Sequence, residues 1–171
     1  MEGRRFMTLI TNLDDRNIVN VILEEAKLES FIFDTNFRLK FECKVEKEFE
    51  GKKLPREVTL SILSDWWFGN KENWDYTVKK MTEGCNFVEP EEPVLAFKLA
   101  ALRWSDGSDI VSVNISAQEI DLMFRCGETV TILNNYKHEI AWEIFETNFN
   151  NVNDCWSVVC DEGRIYYNIP T

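Results

Sequence analysis

The sequence predicts an α+β protein built mainly on antiparallel β-sheet, with about seven to nine strands, an N-terminal helix and a short helix near 117–125. Three observations predict it. Residues 37–46 alternate strictly between apolar and charged side chains, the period-two pattern of a half-exposed strand. Aromatic residues make up 13%, with twelve Phe and six Trp, and such side chains favour pleated, half-buried surfaces. Further strand-length segments are separated by turn residues and do not alternate with long helices, which argues against a doubly wound parallel sheet.

Taken in order, Asp14 to Glu29 reads as the N-terminal helix. Ile18, Ile22, Glu25 and Ala26, with Val19 and Leu23, approximate a 3.6-residue stripe, and acids begin it. Phe37, Leu39, Phe41, Cys43 and Val45 then share one strand face, with charges of both signs on the other. Gly51 makes a turn, and Glu57 to Leu63 returns as a partner strand. Glu89 to Pro93 reads as a rigid acidic connection, because each proline restricts the residue before it. Val94–Trp104 and Ile110–Ile115 follow as strands joined by the turn at 105–109.

Ser116-x-x-Glu119 fits a capping box and Gly127 a C-terminal cap, which predicts the short helix. Thr129–Leu133, His138–Phe145, Cys155–Cys160 and Arg164–Ile169 complete the strands, with a hairpin turn at Asp161-Glu162-Gly163. No repeat, low-complexity block or linker divides the chain, so residues 1–171 are expected to form a single domain.

Composition excludes more chemistry than it suggests. The seven glycines are never closer than ten residues, so neither a P-loop nor a dinucleotide fingerprint is present. His138 is the single histidine, and its place at a strand start suits a surface role better than a nucleophilic triad. The five cysteines, Cys43, Cys85, Cys126, Cys155 and Cys160, lack the paired spacing of a zinc site; an odd count without a secretory leader predicts free thiols and a cytoplasmic location. No run approaches the length of a membrane span. The expectation is therefore a protein that is not an enzyme and carries no cofactor or metal.

Charge and aromatics give the positive evidence. Residues 1–56 hold eleven charges of each sign, so residues 57–171 carry the whole net charge of −11. A field of that sign repels nucleic acid and anionic membrane and attracts basic proteins. The segment Ser64–Tyr76 holds three tryptophans among Gly, Asn and Asp residues. It is read either as two strand ends closing the core or as an exposed recognition loop. Trp66 and Trp67 are adjacent, so in an extended chain they face opposite sides and one becomes a candidate for exposure.

The expected function is a stoichiometric inhibitor that occludes a basic, nucleic-acid-acting partner such as a toxin or nuclease. The profile of size, charge and missing motifs is similar in general character to that of bacterial immunity or antitoxin proteins, and to that of phage-encoded inhibitors of bacterial defence. Its candidate partner-binding residues are Asp65, Trp66, Trp67, Trp74, Asp75, Tyr76, Glu139, Glu143, Glu146, Asp154, Asp161 and Glu162. The alternative is a small-ligand-binding β domain that uses Trp66–Tyr76. That reading predicts a concave pocket, whereas an inhibitor predicts a flat or convex acidic patch.

Overall fold

The alternating segment lies inside a seven-stranded sheet. The computed structural model describes residues 7–10, 17–34, 36–135, 137, 139–148 and 155–170. In chain order these form β1 (Thr8–Leu9), α1 (Ile18–Leu23), β2 (Ala26–Phe33), β3 (Phe37–Cys43), β4 (Glu48–Phe49), β5 (Lys52–Lys53), β6 (Glu57–Ile62) and β7 (Trp66–Phe68). There follow α2 (Lys71–Met81), α3 (Glu91–Trp104), β8 (Ile110–Ile115), β9 (Glu119–Phe124), β10 (Thr129–Leu133), β11 (Ile140–Glu146), β12 (Ser157–Asp161) and β13 (Arg164–Asn168). The class is the expected α+β with antiparallel sheet. The thirteen strands among the described residues exceed the expected number partly because β1, β4 and β5 have two residues each, too few to show a period.

One sheet has the order β1-β13-β12-β11-β6-β3-β2, a second the order β7-β10-β9-β8, and β4-β5 is a small hairpin. Every ladder is antiparallel. Register sets the core. Leu39, Leu60, Ile144 and Val158 lie side by side across the first sheet. Phe68, Val130, Leu122 and Val113 do so across the second. All eight are buried, and they belong to one contiguous apolar cluster with α1.

Three expected elements are corrected. The N-terminal helix is a six-residue α1; residues 11–16 lie outside the described part. Asn17 caps α1, its Oδ1 accepting from the N–H groups of Val19 and Asn20. Glu25 takes a left-handed φ of 63° and the chain turns into β2. The β-branched run favours only a short helix, and Ala26 and Leu28 alternate into the core. Lys47 closes the end of α1 by donating to the carbonyls of Ile22 and Glu24.

Val94–Trp104 is helix, not strand. Glu91 and Glu92 occupy its first turn and Arg103 its last, while Val94, Leu95, Leu99 and Leu102 face inward. Pro93 stands in the first turn, where a missing N–H costs nothing. The proline pair thus starts a helix.

The helix near 117–125 is strand β9. Ser116 Oγ does accept from the N–H groups of Gln118 and Glu119, both at 3.1 Å, but the bonds close a β-turn between β8 and β9. Ile120, Leu122 and Phe124 then point inward at period two. The same hydroxyl chemistry serves a helix cap and a turn, and burial decided between them.

Candidate functional site

Two chain crossings build the site. Leu63-Ser64-Asp65 carries the chain from β6 to β7, and residues 134–139 carry it back from β10 to β11. The crossings are bonded to each other and to their neighbours. Ser64 Oγ donates to the Leu133 carbonyl at 2.7 Å, the Leu133 N–H donates to the Asp65 carbonyl at 3.0 Å, and the N–H groups of Leu63 and Ser64 donate to Ala141. Behind them, the Trp142 Nε1–H donates to Asn134 Oδ1 at 2.8 Å.

Beside this junction the first turns of α2 and α3 complete a cleft of about 900 Å³. Asn70 caps α2 by accepting from Glu72 and Asn73. Phe37, Trp66, Trp67, Trp74 and Leu95 give the cleft its apolar wall. Asp65, Glu89, Glu91, Glu92 and Glu139 ring it, against Lys71 and Lys137. Lys71 is engaged already, 2.8 Å from Asp75 and 5.2 Å from the Trp67 ring centre. The five carboxylates make no ion pair among the described residues, so the cleft carries a net negative charge.

The aromatic wall is held by a chain of ring contacts. Phe31, Phe33, Phe37, Trp66, Phe68 and Trp74 follow one another at centroid distances between 4.5 and 6.2 Å. Trp66 and Phe68 share one face of β7 and Trp67 takes the other, as adjacency requires. Neither tryptophan is exposed, so of the two readings of this segment the one that closes the core holds for both, with the helix α2 in place of a second strand end. β7 is covered on both faces because α2 follows it at once and lays Lys71 over Trp67. The Trp66 Nε1–H is buried and has no hydrogen-bond partner among the described residues.

The predicted residues are brought together in part. Asp65, Trp66, Trp67, Trp74 and Glu139 line the cleft. Asp75 and Tyr76 are exposed on α2 outside it. Glu143 lies on β11 opposite Ser61 and Val159, and Glu146 ends that strand opposite Val58. Asp161 and Glu162 sit at the β12–β13 turn, exposed. Asp154 and His138 lie outside the described residues. Sequence reading missed Glu89, Glu91 and Glu92 as site residues because it made them a connection; acids just after a proline, ahead of a helical stripe, were the available signal.

Among the described residues no three His, Cys, Asp or Glu side chains are grouped to hold a metal ion. The buried thiols suit packing: burial pushes Cys160 up to about 12 and raises Cys43 as well. No helix among the described residues is long and apolar enough to cross a membrane. No family model, no curated protein and no solved structure matches this chain.

Proposed function

We propose that the protein is a stoichiometric inhibitor of a basic, nucleic-acid-acting protein, of the immunity or antitoxin type, working in the cytoplasm without a catalytic step. The observation that supports this reading most is the charge of the cleft, where five carboxylates without an ion pair among the described residues surround an aromatic wall. Such a site receives the Lys or Arg side chains with which a nuclease or toxin grips phosphate. Carboxylates attract the charge, and the rings accept the alkyl stem or guanidinium plane. The net charge of −11 adds long-range steering, which raises association rates and is weakened by salt.

The test is a salt series on the purified complex. Affinity is expected to fall at least ~10-fold between about 50 and 200 mM salt. Neutralising the ring with Asp65→Asn, Glu91→Gln, Glu92→Gln and Glu139→Gln is expected to weaken binding by roughly 10–100-fold, mostly through slower association. An affinity indifferent to both changes would sink the proposal.

The cleft is concave, and that favours a second reading, a small organic cation bound between the rings and the carboxylates. Quenching of buried tryptophan fluorescence by such a cation, with the protein partner neither required nor displaced, would select it.

A further inference from the structure

Four buried side-chain polar atoms have no hydrogen-bond partner among the described residues: Asn17 Nδ2, Trp66 Nε1, Trp156 Nε1 and Ser157 Oγ. Of these residues only Trp66 lines the acidic cleft. Its ring packs on Phe37, which also lines the cleft, at a centroid distance of 5.2 Å, and the residue is only 6% exposed. The Nε1–H is shut off from solvent and no described residue accepts it. The indole of Trp142, buried as well, donates to Asn134. A buried donor left unpaired is costly, and a ligand that brings an acceptor removes the cost.

We infer that the cleft takes an extended basic segment of the partner, two cationic side chains with main chain between them, and that the Trp66 Nε1–H donates to a main-chain carbonyl of that segment. The inference rests on the reading of the cleft as the receptor of a basic protein. Size and charge both call for more than one side chain. The cleft holds about 900 Å³, near the upper end for sites that enclose a whole small molecule. Its carboxylates come from three places: Asp65 on the crossing to β7, Glu139 on the crossing to β11, and Glu89, Glu91 and Glu92 at the start of α3. Five carboxylates against Lys71 and Lys137 leave three charges unmatched, and a single cation offsets one of them.

The unpaired donor separates a peptide from a polyamine. A protonated polyamine matches the charges but carries donors alone, so it leaves the Trp66 N–H unpaired. A peptide supplies a carbonyl at every residue. Asn36 and Asn135 line the same cleft, and each side-chain amide pairs with both the N–H and the C=O of a peptide group. The aromatic wall covers the alkyl stems or stacks on a guanidinium plane. Because the Nε1–H is shut off in the free protein, the donation requires a small turn of the indole toward the cleft.

Two probes of equal charge test the inference by calorimetry at about 50 mM salt: the capped peptide acetyl-Arg-Ala-Arg-amide, and 1,4-diaminobutane, which has no acceptor. The peptide is expected to bind more tightly. Trp66→Phe keeps a ring on the wall and removes the N–H, so it should weaken the peptide at least ~5-fold and the diamine less than ~2-fold. A mere loss of packing would lower both together. In the unsubstituted protein, the Trp66 indole resonance should move downfield with the peptide and not with the diamine, a readout that stands even if Trp66→Phe folds poorly. The inference is overturned if Trp66→Phe weakens both probes equally, or if the bound peptide leaves the Trp66 resonance in place. In either case Asp65→Asn and Glu139→Gln still weaken both probes when the cleft itself receives cations, so the broader reading survives. A diamine that binds the more tightly overturns the inference in favour of a small organic cation. Binding of neither probe overturns it as well.

Discussion

Asn134 ties the two sheets together from one buried position. Its Oδ1 accepts from Trp142 at 2.8 Å, its Nδ2 donates to the Ser116 carbonyl at 2.9 Å, and its own carbonyl receives the Cys160 thiol at 3.3 Å. Asn134→Ala would leave a fully buried indole N–H unpaired, which costs about 2–3 kcal/mol. Urea unfolding should show that loss, and Asn134→Asp should lose at least as much, because it buries a carboxylate and turns an acceptor toward the Ser116 carbonyl. The thiols give a second check at this scale. Cys85 and Cys126 are exposed while Cys43, Cys155 and Cys160 are buried. Two thiols should therefore react rapidly with a disulfide reagent in the native protein and three more on unfolding. Cys160 stays protonated in the fold up to about 12, against a reference of 9.0 when solvated. Its thiolate then forms first in the unfolded chain, so stability is intact below about 9 and falls as pH rises from there toward 12. Denaturation midpoints measured across that window check the sign.

At the scale of elements, local chemistry was often read correctly and assigned to the wrong structure. Ser116 caps a turn instead of a helix, and the prolines at 90 and 93 open a helix instead of fixing a linker. Length was the better guide for α3: eleven residues from Val94 to Trp104 are long for a strand and ordinary for a helix. Turns also impose their own packing. A Cβ built at Gly107 would stand 2.5 Å from the backbone nitrogen of Cys126, between α3 and β8. Backbone cannot yield as a side-chain tip does, so Gly107→Ala should destabilise by about 2–3 kcal/mol, a fall in Tm of roughly 5–10 °C for a chain of this size. Gly127, where an added Cβ meets nothing within 4 Å, carries only the conformational cost of its φ of 90°. Gly127→Ala should cost about 1 kcal/mol. Thermal unfolding of the two variants side by side separates a steric from a conformational requirement.

Across the whole molecule, charge and exposure fall in different places. The acid-ringed cleft sits where the chain crosses between sheets, and the exposed apolar stripe runs along α3. Salt should therefore weaken the binding of a basic partner at the cleft and have little effect on the apolar face of α3. A fluorescence-detected titration of the basic partner over a range of salt concentrations checks this.

The sequence by itself determined the class, most of the antiparallel strands and the acidic character, because period-two alternation, turn residues and charge are properties of neighbours along the chain. It singled out Asp65, Trp66, Trp67 and Trp74 as one aromatic segment and Glu139 among the later acids. Only the tertiary structure decided that they share a cleft with Glu89, Glu91 and Glu92. It also decided that both adjacent tryptophans are buried and that the exposed one is Trp104. The physical reason is that burial depends on what the rest of the chain brings to each face. Trp66 packs on Phe37 and Lys71 of α2 lies over Trp67, and no local pattern around the two tryptophans records either neighbour.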